Sequence, residues 1–359
     1  MTSLNDLPIR DDLRGLKPYG APQLEVPVAL NVNENTHRIP EPVAQEIIER
    51  LAGAVLGLNR YPDREFESLR RALASYLGAN LTEANIWAAN GSNEVLQQIF
   101  YAFGGRDRKV LGFGPTYSMY SLLAKASQTE YEDAPRADRF ELTADLVSRA
   151  IRERKPNIVV LCSPNNPTGT PVSLDVIEAA YEALPSNCIL VVDEAYAEFA
   201  GSEAESATQL LPGRERLLIS RTMSKAFAFA GARVGYLAAD PAVTDALRLV
   251  RLPYHLSALT QAAAEAALAH APEMLATVAD IRNQRDRIVM ALSELGLDPY
   301  RTASNFVLFG GLKDSAATWE ALLERGVLIR NVGIAGTLRV SAGTANETSR
   351  FIDALADIL

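Results

Sequence analysis

The sequence has few of the residues that build metal centres, disulfide frameworks and histidine-based catalytic sites. It contains only two cysteines and three histidines in 359 residues. Cys162 and Cys188 lie inside apolar runs, which predicts buried structural thiols and a reducing compartment. His37, His255 and His270 are scattered, so no cluster has the spacing of metal ligands. We therefore expect neither a metal site nor a histidine-centred triad.

Positive charge and long apolar runs are also scarce. The chain has 35 Lys and Arg against 44 Asp and Glu, which gives a net charge of −9. This balance argues against a nucleic-acid partner, because polyanion binding needs clustered basic residues. No run of 18 apolar residues occurs, and the first twelve residues lack the apolar stretch of a secretion signal. We expect a cytoplasmic protein with no membrane partner.

Apolar strands alternate with amphipathic helices from about residue 86 to 240. The strands at 157–162 (NIVVLC) and 188–192 (CILVV) are almost entirely apolar, as strands covered on both faces of a parallel sheet are. The alternation predicts an α/β domain with a mostly parallel sheet. Polar residues follow directly after several of these strands, where open α/β sheets bind ligands.

The pattern changes after Pro253. Ala-rich helical segments and three short strands follow, which predict a smaller α+β domain. A helix from about residue 243 to 270 is predicted to bridge the two domains. The predicted division is an N-terminal arm at 1–42 that packs with the small domain, a large domain at 43–252, and a small domain at 253–359.

The stretch at 222–236 (TMSKAFAFAGARVGY) has the side chains of a covalent cofactor site. Lys225 lies among small and aromatic residues, which can desolvate its amine, lower its pKa and make it a nucleophile or base. Thr222, Ser224 and Arg233 offer donors to a phosphate. A reactive amine beside an anion site suits pyridoxal phosphate, an aldehyde that carries a phosphate. A solvated lysine that follows a strand is the competing interpretation.

A second anion site is predicted where a strand at 86–89 runs into Asn90-Gly91-Ser92-Asn93-Glu94 and a helix. The first backbone N–H groups of a helix have no partner within it, and they bind anions readily. An ordinary N-cap without a ligand is the alternative interpretation.

Seven motifs follow one another along the chain: LNVNEN at 30–35, RYPD at 60–63, NGSNE at 90–94, SPNNPTG at 163–169, VDEAY at 192–196, TMSKAFAFAG at 222–231 and LRVSAG at 338–343. Together they resemble the motifs of the fold-type-I pyridoxal-phosphate aminotransferases, and among these the histidinol-phosphate aminotransferases. The resemblance covers the chain from about residue 13 to its end. It implies a large domain with a mostly parallel seven-stranded sheet covered by helices, a smaller α+β domain, and a homodimer with shared active sites.

The resemblance also implies the roles of the residues around the cofactor. Lys225 would bind pyridoxal phosphate covalently and then carry a proton, and Asp193 would keep the ring nitrogen protonated. Tyr196 and Asn166 would bind the phenolic oxygen, and Tyr117 would stack on the ring. Packing is the competing explanation for any single tyrosine. The cofactor phosphate would be bound by Ser92, Asn93, Thr222, Ser224, Arg233 and, from the neighbouring subunit, Tyr61.

The implied substrates are an amino donor and a 2-oxo acid. Arg330 and Arg339 would bind the donor's phosphate or a carboxylate, since a guanidinium pairs bidentately with either group. The expected reaction converts L-histidinol phosphate and 2-oxoglutarate to imidazole-acetol phosphate and L-glutamate, in histidine biosynthesis. An aromatic amino-acid aminotransferase on the same scaffold is the alternative, and a β-eliminating lyase is a third possibility. The remaining substrate-site residues implied are Tyr19, Asn33, Tyr61 and Asn166.

Overall fold

The structure, a computed structural model, describes residues 6–16, 18, 20–201 and 205–359. Its strands are β1 (Val28–Ala29), β2 (Ile86–Ala89), β3 (Lys109–Gly114), β4 (Glu130–Pro135), β5 (Ile158–Cys162), β6 (Ile189–Asp193), β7 (Leu217–Thr222), β8 (Gly235–Ala238), β9 (Asp298–Pro299), β10 (Phe306–Gly310), β11 (Val327–Leu328) and β12 (Leu338–Ser341). Its α-helices are α1 (Glu41–Val55), α2 (Glu67–Leu77), α3 (Ser92–Phe103), α4 (Met119–Ala126), α5 (Ala144–Arg154), α6 (Leu174–Glu182), α7 (Ala197–Ala200), α8 (Pro241–Val250), α9 (Ala258–Ala269), α10 (Ala271–Leu275), α11 (Val278–Glu294), α12 (Ser315–Glu324) and α13 (Ala345–Ala356).

The largest sheet has seven strands in the order β2-β8-β7-β6-β5-β3-β4. Strands β4, β3, β5, β6 and β7 pair in parallel, whereas β8 runs antiparallel to both β7 and β2. All residues of β5 and β6 are buried, as their apolar sequences predict. The predicted α/β fold with a mostly parallel seven-stranded sheet is confirmed.

A second apolar cluster lies around a smaller antiparallel sheet of order β12-β10-β9. The segment before α1 joins this cluster, because β1 pairs in parallel with β11 and both Val28 and Leu30 are buried in it. The predicted domain limits stay predictions. Among the residues that the structure describes, no helix combines the length and apolar character needed to cross a membrane.

The prediction of one bridging helix from 243 to 270 is wrong. Helix α8 ends at Val250 and α9 begins at Ala258, with an irregular segment between them. Pro253 explains the interruption, since its ring and missing N–H disfavour a continuous helix. Ser257 caps the new helix by accepting a hydrogen bond from the backbone N–H of Thr260 at 3.1 Å. Helix α9 packs against α1, which favours a domain boundary later than residue 252.

Candidate active site

The carboxyl ends of β5, β6 and β7 meet at one edge of the large sheet. Cys162 lies beside Asp193 in the sheet register, and Asp193 lies beside Ser220. The polar residues that follow these strands line a cavity of about 370 Å³. Of the residues that the sequence predicts for the site, this cavity brings together Asn33, Ser92, Asn93, Tyr117, Asn166, Asp193, Tyr196, Thr222, Ser224, Lys225, Arg233, Arg330 and Arg339.

Lys225 follows β7 and presents its amine at the cavity. Its Nζ donates a hydrogen bond to the backbone oxygen of Val32 at 3.1 Å and lies 6.0 Å from the centre of the Tyr196 ring. Desolvation lowers the pKa of Lys225 to about 8, and the positive charges of Arg339 and Arg233 act in the same direction. About a tenth of the amine is therefore neutral, and so nucleophilic, at pH 7.

Asp193 ends β6 and is buried beneath the cavity. Its Oδ2 accepts a hydrogen bond from the Tyr120 hydroxyl at 2.7 Å, whereas its Oδ1 has no hydrogen-bond partner among the described residues. Desolvation raises the pKa of Asp193 to about 6. Burying a carboxylate oxygen without a hydrogen-bond partner costs free energy. Oδ1 is therefore suited to a ligand that donates a hydrogen bond or carries positive charge.

The hydroxyl of Tyr196 is held by two asparagine side chains. It accepts hydrogen bonds from Nδ2 of Asn33 at 3.0 Å and from Nδ2 of Asn166 at 3.3 Å. The amides are oriented because Oδ1 of Asn33 accepts from the Ser341 hydroxyl and Oδ1 of Asn166 accepts from Arg339. Burial raises the pKa of Tyr196 above its ordinary value. The hydroxyl therefore stays protonated and can donate to an oxygen atom in the cavity.

Another wall of the cavity is formed where β2 turns into α3. Gly91 has a φ of +83°, and a Cβ there would lie 2.4 Å from Nη2 of Arg233. A Cβ at Gly235 would lie 2.1 Å from the backbone nitrogen of Ser92, so this close approach of β8 also requires glycine. The Arg233 guanidinium donates to the Ser224 hydroxyl at 3.2 Å. Helix N–H groups, hydroxyls and one guanidinium thus face a common anion-sized space.

Tyr117 lines the cavity beside this anion space. Its hydroxyl donates to Oδ1 of Asn93 at 3.2 Å, which ties the ring to the first turn of α3. Its ring packs edge to face with that of Tyr120, with centroids 5.6 Å apart and an interplanar angle of 89°. An aromatic wall held in this way can pack against a flat ligand.

The opposite end of the cavity holds two arginines. Arg339 on β12 is buried, and it donates to Oδ1 of Asn166 at 2.5 Å and to the backbone oxygen of Asn31 at 3.0 Å. Its guanidinium lies 5.0 Å from the centre of the Phe306 ring. Arg330 exchanges two backbone hydrogen bonds of 2.9 Å with Arg339 and is half-buried. Both side chains line the cavity, so this end attracts anions.

Of the described residues predicted for the site, Tyr61 is not brought to the cavity. Tyr61 is 80% exposed and stacks on Tyr254 with centroids 4.5 Å apart. Tyr19 lies outside the described residues. Glu194, the neighbour of Asp193, instead pairs with buried Arg221 at 2.7 Å, in keeping with a structural function.

Sequence reasoning missed three contributors to the site: Asn31, Val32 and Tyr120. The first two act through backbone oxygens, which no side-chain motif reports. Tyr120 is the second residue of α4, and Tyr117 lies three residues before it, in the turn that leads into the helix; the N–H of Tyr120 donates to the backbone oxygen of Tyr117 at 3.1 Å. The spacing is the signal that could have found it.

Comparison with known proteins relates this geometry to a family. The model of aminotransferase class I and II matches residues 25–355. A histidinol-phosphate aminotransferase from Paenarthrobacter aurescens strain TC1 is 62% identical over 357 residues, which cover 99% of this chain and 96% of the relative.

Solved structures give the same relationship at lower identity. Histidinol-phosphate aminotransferase from Sinorhizobium meliloti, in complex with pyridoxal-5'-phosphate, has a TM-score of 0.86 and 26% identity, and the match covers 98% of this chain and 97% of that one. A single mutant of Thermus thermophilus aspartate aminotransferase has a TM-score of 0.84 and 25% identity, with coverage of 98% and 99%. Enzymes named for different substrates thus share this fold.

Proposed function

The chain belongs to the class I and II aminotransferases, and we propose that it transfers the amino group of L-histidinol phosphate to 2-oxoglutarate. The products are imidazole-acetol phosphate and L-glutamate, as in histidine biosynthesis, and we expect a cytoplasmic location. One observation carries the proposal: the Lys225 amine and the unpartnered Oδ1 of Asp193 share a cavity whose other end holds Arg330 and Arg339. The 62% identity to a histidinol-phosphate aminotransferase supports the choice of donor.

Pyridoxal phosphate fits the large-sheet end of the cavity. The orphaned Oδ1 of Asp193 is suited to a protonated ring nitrogen, and the Tyr196 hydroxyl to the phenolic oxygen. The space between Ser92 and Arg233, which a Cβ on Gly91 would fill, is suited to the phosphate. When bound, the cofactor supplies an electron sink for negative charge at the substrate's α-carbon.

Lys225 moves the proton in this scheme. Its Nζ would hold the cofactor covalently until a substrate amine replaced it. The freed amine would then take the proton from the substrate's α-carbon and return it in the next step. Desolvation lowers the pKa of Lys225 to about 8, which suits a base working close to neutral pH. Asp193 would hold a proton on the ring nitrogen through its buried carboxylate.

Arg339 and Arg330 select and orient the substrate. A guanidinium forms parallel hydrogen bonds with a phosphate or with a carboxylate, so one pair of arginines serves both half-reactions. Arg339 also donates to Asn166, whose amide holds Tyr196. The side chains of Asn166 and Tyr196 thereby connect the arginines that bind the anion with the site proposed for the phenolic oxygen of the cofactor.

The active unit is a homodimer in which Tyr61 reaches the cofactor phosphate of the other subunit. Support comes from an exposed apolar surface around the stacked pair Tyr61 and Tyr254. Leu56, Leu249 and Leu252 are 87%, 86% and 74% exposed in the adjoining segments. Apolar surface grouped in this way is typical of protein interfaces. Sedimentation at micromolar concentration should give twice the chain mass, and a monomer with full activity would contradict this assembly.

A donor panel under single-turnover conditions tests the proposed function. Purified protein loaded with pyridoxal phosphate is mixed with L-histidinol phosphate or phenylalanine, and the cofactor absorbance is followed. We expect histidinol phosphate to react at least about tenfold faster, since the extra phosphate contacts contribute about 1.4 kcal/mol or more. Equal rates would favour an aromatic amino-acid aminotransferase. Pyruvate release from a β-substituted amino acid would favour a lyase.

A further inference from the structure

Tyr120 is a buried residue in contact with two predicted cofactor-binding side chains, although it does not line the cavity itself. It is the second residue of α4, and its hydroxyl donates to Oδ2 of Asp193 at 2.7 Å. Its ring and that of Tyr117 pack at right angles, edge to face. One side chain therefore contacts both the carboxylate below the cavity and an aromatic residue on its wall.

The hydrogen bond from the Tyr120 hydroxyl makes the two carboxylate oxygens of Asp193 different from each other. Oδ2 accepts a hydrogen bond from a protein donor, while Oδ1 has no hydrogen-bond partner among the described residues. Because Asp193 lines the cavity, Oδ1 is the oxygen left for a ligand. Burial raises the pKa of Tyr120 well above its ordinary value, so the hydroxyl donates at all working pH values. The hydrogen bond favours the charged form of Asp193 and opposes the effect of desolvation.

We propose that Tyr120 is a positioning residue that keeps Asp193 ionised and aims its free oxygen at the protonated ring nitrogen of the cofactor. The inference rests on the proposed function, because it assumes pyridoxal phosphate as the ligand. Without the hydroxyl, Asp193 binds a proton more tightly and draws the shared proton away from the ring. The ring then carries less positive charge and becomes a poorer electron sink.

Other titratable groups near Asp193 do not supply the same interaction. The Cys162 thiol lies beside it in the sheet and burial raises its pKa to about 12, so it is uncharged. The Tyr196 hydroxyl accepts hydrogen bonds from Asn33 and Asn166, which place it at the phenolic oxygen of the proposed cofactor and not at Asp193. The carboxylate of Glu194 accepts two hydrogen bonds from the Arg221 guanidinium. Tyr120 is the side chain that donates directly to Asp193.

Tyr120→Phe tests the inference, because it removes one oxygen and keeps the ring that packs on Tyr117. Tyr131→Phe is the matched control, since the Tyr131 hydroxyl donates to Oδ1 of Asp133 at 2.8 Å outside the cavity. Two quantities are measured: the dissociation constant for pyridoxal phosphate and the pH midpoint of the visible absorbance of the bound cofactor. Thermal unfolding of each variant checks that it folds.

We expect Tyr120→Phe to weaken cofactor binding about tenfold and to move the absorbance midpoint to higher pH. The pH midpoint rises because the nitrogen that joins Lys225 to the cofactor is more basic when the cofactor ring carries less positive charge. Tyr131→Phe should match the wild type in both quantities. The same values for Tyr120→Phe and the wild type would overturn the inference.

A second comparison in the Asp193→Ala background separates positioning from packing. If Tyr120 acts through the carboxylate, adding Tyr120→Phe there should cause no further weakening of cofactor binding. If Tyr120→Phe weakened cofactor binding equally in the wild type and in Asp193→Ala, Tyr120 would act only through packing, and the inference would be overturned. A wild-type protein that binds no pyridoxal phosphate would overturn the proposed function as well, so the two failures are distinguishable.

Discussion

The two ends of the cavity are held in place by different parts of the chain. The cofactor end is built mainly where strands of one sheet end, and Asp193 and Lys225 follow neighbouring parallel strands. The substrate end is built from β12, the Arg330 segment and the backbone of Asn31, which lies 308 residues from Arg339 in sequence. The cofactor end therefore depends mainly on one sheet, although Val32 and Asn33 of the early segment also contact Lys225 and Tyr196. The substrate end depends on how the early segment packs with the small sheet.

The two ends meet at Asn166. Its amide nitrogen donates to Tyr196 at the cofactor end, and its oxygen accepts from Arg339 at the substrate end. The difference in construction predicts a difference in mutant behaviour. Changes at the cofactor end should alter the cofactor spectrum and kcat, whereas changes at the substrate end should raise KM and leave the spectrum intact.

The largest effect is expected for Lys225→Ala. Loss of the amine removes both the covalent link and the base, so the visible band should disappear and kcat should fall by about 10⁴-fold or more. Lys109→Ala is the control, because Lys109 pairs with Glu130 and Glu132 at the sheet edge. Turnover retained in the Lys225 variant would contradict the account of the cofactor end.

Arg339→Ala tests the substrate end. We expect KM for histidinol phosphate and for 2-oxoglutarate to rise together by about 30-fold, since removing a buried cationic partner costs about 2 kcal/mol or more. The cofactor band should remain. Arg214→Ala removes an arginine paired with Glu178 away from the cavity and should change neither constant. A rise for 2-oxoglutarate alone would mean that the two substrates do not share the arginines.

The pH dependence of cofactor capture probes the amine directly. Only the neutral amine attacks an aldehyde, and the pKa of Lys225 is lowered to about 8. The rate constant for capture by the cofactor-free protein should therefore rise about tenfold per pH unit from pH 6 to 7 and level off above pH 8. Rapid-mixing absorbance measures it. A profile that keeps rising to pH 10 would show an ordinary, solvated lysine.

The smallest effect is expected for Arg330→Ala. This arginine is half-buried and its guanidinium donates to the backbone oxygen of Gly20 at 3.3 Å, so water screens its charge more than that of Arg339. We expect KM for both substrates to rise about fivefold, in line with about 1 kcal/mol. Steady-state kinetics give the comparison. A larger effect than that of Arg339→Ala would reverse the order assigned to the two arginines.

The sequence predicted the cofactor end well for a physical reason. Parallel strands end at the same edge, so the residues after the predicted strands 157–162, 188–192 and 216–220 converge without any knowledge of loop geometry. Asn166, Asp193 and Lys225 line one cavity on these grounds. The anion space beside Ser92 was also accessible, because a glycine turn before a helix has a local signature.

The remaining contacts depend on packing that a local pattern does not encode. Val32 accepts from Lys225 and Asn31 accepts from Arg339 through backbone oxygens, and their positions follow from the pairing of β1 with β11. The interruption between α8 and α9 was missed although Pro253 marks it, because the helical pattern on either side suggested continuity.

Borohydride reduction of the protein mixed with pyridoxal phosphate, followed by peptide mass spectrometry, identifies the amine that binds the cofactor. Reduction fixes the cofactor on that amine. We expect one modified lysine per chain, Lys225, and less labelling when histidinol phosphate is added before the borohydride. Unlabelled protein, or label distributed over surface lysines with Lys225 unmodified, would contradict it.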